Sequence, residues 1–278
     1  MVPGSGLEEA MQTSALRRAS ATPPAIPSAL ANSEASSKPS PIGSTSGERL
    51  ARGRRFGEAA AHYRRGLVTP LAAVLLVTAL PLAVANWWSR WSANRTIEWV
   101  TKPAVTVLIA LAAVAVDPRH EAMRWWFVAA YVGCLAGDVF LMLPRERFVP
   151  GLASFLAAHL LFVAGFVAGG LDDTSTGIGM VVVAVLVLAS VGRCVLGGAR
   201  RSDPGLAAPV TAYLLVITGM AVVAGFHGDG WGIAGALTFV LSDSLLGWGK
   251  FVAPVRHGSV AVMATYHLAL VGLLLSLV

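Results

Sequence analysis

The chain has 278 residues, of which 55% are hydrophobic and only 13% charged, with a formal net charge of +6. Soluble domains carry charge on about a quarter of their residues, so an ordinary water-soluble enzyme is excluded and a polytopic membrane protein is indicated. The cations gather in a tail and in short loops without any RNA- or DNA-binding signature, so their expected partners are phospholipid headgroups, with no nucleic acid.

Residues 1–66 are rich in Ser, Ala, Pro and Thr and lack a hydrophobic period, which predicts a disordered tail. The tail turns basic toward the membrane, at Arg49, Arg52, Arg54, Arg55, Arg64 and Arg65. Arg17-Arg18 is not followed by an apolar run, so no cleaved signal peptide is expected. Residues 67–278 read as a transmembrane domain, placing the protein as a multi-pass integral protein, expected in the cell membrane.

Eight apolar segments follow the tail, near 68–86, 97–116, 123–143, 148–169, 177–196, 206–227, 231–251 and 259–278. Each approaches the ~20 residues needed to cross the hydrocarbon. Backbone groups in lipid must be satisfied within the segment, so the fold class is an all-α helical bundle. Short loops predict that consecutive spans are antiparallel neighbours. Two orientation signals oppose each other: the loops after spans one, three, five and seven hold most loop cations, whereas the tail puts its arginines on the opposite side. Trp87, Trp88, Trp91, Trp99, Trp125 and Trp126 fall at span ends and read as an interfacial belt. Cys134 and Cys194 lie in apolar runs and read as buried small hydrophobes, with neither a disulfide nor a structural zinc expected.

Asp138 and Asp243 stand inside membrane spans, where a carboxylate costs a few kcal/mol and tends to face a bundle interior with a function. A rise of about 1.5 Å per residue converts position to depth. Lys102, Asp138, His159, Tyr213, Asp243 and Tyr266 all fall roughly 8–16 Å from one membrane face, the face with most of the loop cations. One polar pocket open to one leaflet is therefore expected, with the two carboxyl groups within about 10 Å of each other. Glu98 and Lys102 are i, i+4 neighbours, so a salt bridge between them competes for Lys102.

The Lys102-Pro103 pair, Gly137-Asp138 with its following Leu-Met-Leu, Phe148 through Gly151 to His159, Tyr213, Phe239 to Ser244, and the closing Thr265-Tyr266-His267-Leu268-Ala269 resemble the YhhN-like membrane proteins, which include the lysoplasmalogenases. The resemblance covers roughly residues 68–278. One position departs from it: Leu270 stands where family members usually carry Gln. It implies hydrolysis of the vinyl ether bond of a lysolipid to a fatty aldehyde and a glycerophospho-alcohol. Such a bond is cleaved by protonating the β-carbon and adding water to the resulting oxocarbenium ion. That chemistry asks for one acid and one carboxylate, as paired carboxyls supply in glycosidases. Asp138 and Asp243 are the expected catalytic pair, with their roles left open. Lys102, His159, Tyr213, Ser242, Tyr266 and His267 are the expected substrate-binding residues, and Lys250 is a further candidate for the headgroup phosphate. No metal or cofactor is required, and a membrane lipid or lysolipid is the expected partner. A small-solute or proton-coupled transporter is the competing reading, since buried Asp, His and Lys also mark ion paths. An intramembrane aspartyl protease is disfavoured, because no Gly-x-Gly-Asp precedes Asp243.

Overall fold

The computed structural model describes residues 66–143 and 147–278. The predicted tail, apart from Gly66, and the Arg145-Glu146 turn lie outside the described residues. The described chain forms α1 (Pro70–Trp91), α2 (Arg95–Ala115), α3 (Glu121–Met142), α4 (Phe148–Gly169), α5 (Thr174–Val187), a π-helical turn (Leu188–Gly192), α6 (Arg193–Ser202), a 3₁₀ turn (Pro204–Leu206), α7 (Ala207–His227), α8 (Gly230–Phe251) and α9 (Gly258–Leu275). With α5, the π turn and α6 counted as one, eight helices are long and apolar enough to cross a membrane. The predicted spans and the observed helices coincide closely. The main differences are that α1 continues to Trp91 rather than 86, and the fifth span to Ser202 rather than 196.

Helix starts follow from local chemistry. Thr69 accepts the Ala72 amide at 3.1 Å with Pro70 at the first helical position, and Asn94 accepts the Ile97 amide at 3.2 Å. Asp173 and Asp229 cap α5 and α8 through the Thr176 and Gly232 amides, at 3.0 and 2.8 Å. Each side-chain oxygen satisfies a backbone donor that the first turn leaves without a partner.

Seven helices close a ring: α1 packs on α2, α2 on α3, α3 on α4, α4 on α7, α7 on α8, α8 on α9, and α9 back on α1. The fifth span breaks the expected order of neighbours. It docks outside the ring, with α5 against α7 and α6 against α7 and α8. The loop before it explains this placement. Gly170 adopts φ 101°, a conformation open to glycine, and the Asp173 amide donates to the Phe226 carbonyl at 2.9 Å, carrying the chain past the end of α7. Only 17% of the fifth span's most apolar stretch is buried, against 44% for α9.

Within the ring, α8 and α9 meet backbone to backbone. A Cβ added at Gly272 would lie 2.8 Å from the Gly235 Cα, so these backbones touch as small residues allow. The face away from the site is stitched by backbone: Leu67 bridges Asp117, and the Arg119 amide donates to the Leu277 carbonyl at 2.8 Å. Two expectations from sequence are corrected. Trp87 is only part-exposed and turns its indole N–H inward to His267, whereas the other five tryptophans of the predicted belt are exposed. Cys134 is buried, but Cys194 is exposed, because α6 presents it outward from a span packed on one side.

Candidate functional site

Asp138, on α3, is 1% exposed and meets three donors. The Lys102 Nζ lies 3.2 Å from Oδ1, while the Thr106 hydroxyl at 2.8 Å and the Tyr266 hydroxyl at 2.9 Å donate to Oδ2. Lys102 and Thr106 are one turn apart on the same face of α2, and Tyr266 comes from α9. A fully engaged carboxylate facing a cation is how a membrane interior tolerates a charge. Glu98 does not compete for Lys102: it pairs across the α1–α2 turn with Arg90 at 2.6 Å.

Asp243, on α8, accepts from the Tyr213 hydroxyl of α7. Beside it, the Ser242 hydroxyl donates to the Val262 carbonyl at 3.0 Å and ties α8 to α9 about two turns from their glycine contact. Both aspartates border one cavity of about 610 Å³, together with Lys102, Ser242 and Tyr266. Arg90, Lys250 and His257 stand nearer its rim. Lys250 holds its ammonium 4.4 Å above the centre of the Phe148 ring, and His257 stacks on Trp91 at 4.3 Å. The cavity lies toward the end of the bundle that carries the α1–α2 and α8–α9 turns.

A second space adjoins the first. It is a slot of about 50 Å³ walled by Val187, Val195, Val210, Ile217 and Val240. Leu141, Phe148, Phe155, Asp243, Leu246 and Lys250 border both spaces. Of its polar groups, Tyr213 is engaged with Asp243 and the Thr218 hydroxyl with its own helix at the Leu214 carbonyl, 2.6 Å away. Asp243 therefore stands at the seam between a polar cavity and an apolar slot, whereas Asp138 borders the cavity alone.

The two histidines named from sequence sit elsewhere. His159 is fully buried behind the cavity wall, edge-on to Phe239 and Tyr213 with ring centres at 4.6 and 5.4 Å, and both its nitrogens lack hydrogen-bond partners. His267 faces α1, where its Nδ1 accepts the Trp87 indole N–H at 3.0 Å. Neither borders the cavity. Leu270 is fully buried in the core, and its carbonyl accepts the Tyr131 hydroxyl at 3.0 Å. Sequence reasoning missed Thr106 and Arg90. Thr106 carried a usable signal, a hydroxyl one helical turn beyond Lys102. Arg90 carried none, because its pairing with Glu98 spans a turn rather than a helical repeat. Among the described residues, no group of three or more His, Cys, Asp or Glu could hold a metal ion.

The fold and the site together define a multi-pass integral membrane protein with two aspartates, Asp138 buried and Asp243 half-buried, each bonded to a tyrosine hydroxyl at one cavity. The YhhN family pattern matches residues 97–277, and the chain belongs to the YhhN family. The match leaves α1 outside it. The chain is 34% identical to human lysoplasmalogenase TMEM86B over 142 residues, covering 50% of this chain and 58% of that protein. It is 32% identical to pig lysoplasmalogenase TMEM86B over 199 residues, 69% of this chain and 81% of the relative. It is also 32% identical to a Mycobacterium tuberculosis lysoplasmalogenase over 168 residues, 59% of this chain and 64% of the relative. No solved structure matches the chain.

Proposed function

We propose that this protein is a membrane-embedded hydrolase that cleaves the vinyl ether bond of lysoplasmalogen-type lysolipids, releasing a fatty aldehyde and a glycerophospho-alcohol. The observation that carries this reading is the position of Asp243 on the seam between cavity and slot, with the ion-paired Asp138 on the cavity side. A lysolipid divides the same way, with a charged head, a glycerol, the vinyl ether and then an apolar chain. Relatives named lysoplasmalogenase support the choice of bond.

On this reading, the order of groups in the lipid supports a separate role for each aspartate. The β-carbon of the vinyl ether lies on the chain side of the bond, so the acid that protonates it is Asp243. Protonation breaks the carbon–carbon π bond and leaves an oxocarbenium ion at the α-carbon. Asp138, held as a carboxylate by Lys102, Thr106 and Tyr266, faces that positive charge and accepts a proton from the attacking water. The hemiacetal then collapses: its carbon–oxygen bond to glycerol breaks as the glycerol oxygen takes the proton held by Asp138, the hemiacetal hydroxyl gives its proton to Asp243, and the aldehyde is released with both aspartates restored. Arg90 and Lys250 at the rim hold the headgroup phosphate. Lys102 holds Asp138 in place, and Tyr213 orients Asp243. Ser242 lines the substrate path, while His159 and His267 brace the walls rather than touch the lipid.

The deciding experiment measures fatty aldehyde release from a vinyl ether lysophosphatidylethanolamine by the purified protein in nanodiscs, beside solute and proton flux in proteoliposomes. Aldehyde release without flux is expected. Flux without aldehyde would replace the hydrolase by a carrier.

A further inference from the structure

The apolar slot ends under the fifth span, the one helix outside the ring, and its two walls from that span are Val187 and Val195. In a regular α-helix, residues eight apart point about 80° away from each other, so both would not face one slot. The π turn at Leu188–Gly192 lies between them. A π bulge takes up one extra residue and sets the following helix back by about 100°, which returns Val195 to the face of Val187. Gly192 is buried within this turn, and the Ser190 hydroxyl donates to the Leu186 carbonyl at 2.5 Å, covering a carbonyl that the wider turn exposes. Val195 then packs into the space left by Gly247, whose added Cβ would sit 3.1 Å from a Val195 methyl. Gly198, one turn further on, lets α6 lie directly on the backbone of α8, since a Cβ there would fall 2.1 Å from the Phe251 carbonyl oxygen.

We propose that this slot is the binding site for the hydrocarbon chain of the lipid substrate, and that the π turn sets its length by holding Val195 across it. The proposal rests on the hydrolase reading for the identity of the head, but not for the apolar nature of the tail. Three observations support it. The slot is continuous with the cavity through Asp243. Its exposed polar surface is small, and Tyr213 and Asp243 are bonded to each other. Its walls are mostly aliphatic and aromatic, which suits a hydrocarbon rather than a second headgroup. A chain threaded past Asp243 places its first double bond beside that carboxyl, while the rim cations keep the phosphate at the other end. The chain-length preference is therefore a property of Val187, Val195 and Leu214, residues outside the acid pair.

Two measurements test this. The first uses an alkyl ether lysophosphatidylethanolamine, which lacks the cleavable double bond and carries a photoreactive diazirine at its chain end. After irradiation with the wild-type protein in nanodiscs, label is expected on peptides covering residues 187–196 and 210–218, and excess unlabelled lysolipid should remove it. Label confined to other helices, or label that resists competition, would overturn the proposal. The second compares Val195→Trp and Leu214→Trp with wild type on vinyl ether lysolipids of ten and eighteen carbons. Turnover of the long chain should fall at least tenfold while the short chain stays within about twofold, since a filled pocket rejects added methylenes. Equal losses on both chains in folded protein, or no loss on either, would overturn it. If a variant does not fold, the labelling of wild type decides. Competed label in the slot with no aldehyde released by wild type would sink the hydrolase reading and leave the chain site standing.

Discussion

The contact between α8 and α9 and the fifth span are built on opposite terms. At Gly235 and Gly272 two backbones meet with no room for a single added carbon, and Ser242, the residue before Asp243, clamps the same pair. The fifth span is packed on one side only, bends through a π turn, and leaves most of its surface outward. Acid–base groups need fixed geometry, and Asp138 and Asp243 both stand on helices of the closed ring. A surface that accommodates a flexible chain can sit on the helix least tied to the rest.

Substitutions should separate the two regions, beginning with the pair of carboxyls. Asp243→Asn is expected to cut turnover by about 10²–10⁴-fold with little change in melting temperature, because the amide keeps the shape and an acceptor for Tyr213 but delivers no proton. Asp138→Asn should lose as much turnover and also lower stability, since it strands the Lys102 ammonium in a buried site. Aldehyde release and thermal shift on the same samples read both. Near-native turnover in either variant would remove that residue from the chemistry.

Lys102→Met comes next, with turnover down about tenfold or more and the melting temperature lowered. The double variant Asp138→Asn with Lys102→Met should recover stability relative to either single change while staying inactive. An increase in KM alone for Lys102→Met would instead assign the ammonium to the headgroup. The smallest effects compare one substitution in two places. Gly235→Ala should cost about 1–3 kcal/mol of stability by overpacking, a fall of about 2–10 °C. Gly198→Ala meets a closer obstacle, the Phe251 carbonyl, yet should lower the melting temperature less, because α6 can move outward. A larger fall for Gly198→Ala would show that the fifth span is as firmly held as the ring.

The membrane spans were legible because hydrophobic length is a strong local signal, and depth along each helix brought Lys102, Asp138, Asp243 and Tyr266 to one level. Depth says nothing about rotation, which is why His159 and His267 shared that level or face in sequence yet turned away from the cavity. Nor could periodicity disclose that α4 bypasses the fifth span for α7. That choice depends on Gly170 and on a backbone bond from Asp173 to Phe226, neither of which leaves a pattern longer than one residue. The π turn was equally hidden, since an extra residue within a uniformly apolar run changes no composition.

The position of the fifth span outside the ring also bears on how the protein is made. Chains enter the membrane from the N-terminus, so α5 and α6 are threaded before either of their packing partners, α7 and α8, has been synthesised. During that interval the span stands in lipid with no protein surface to shelter it. It has the highest mean hydropathy of the eight spans, which lets it remain inserted unaided. α8, which brings Asp243, has the lowest and arrives when α7 is already in place to receive that carboxyl through Tyr213. For these two spans, the order along the chain suits what each requires of the bilayer.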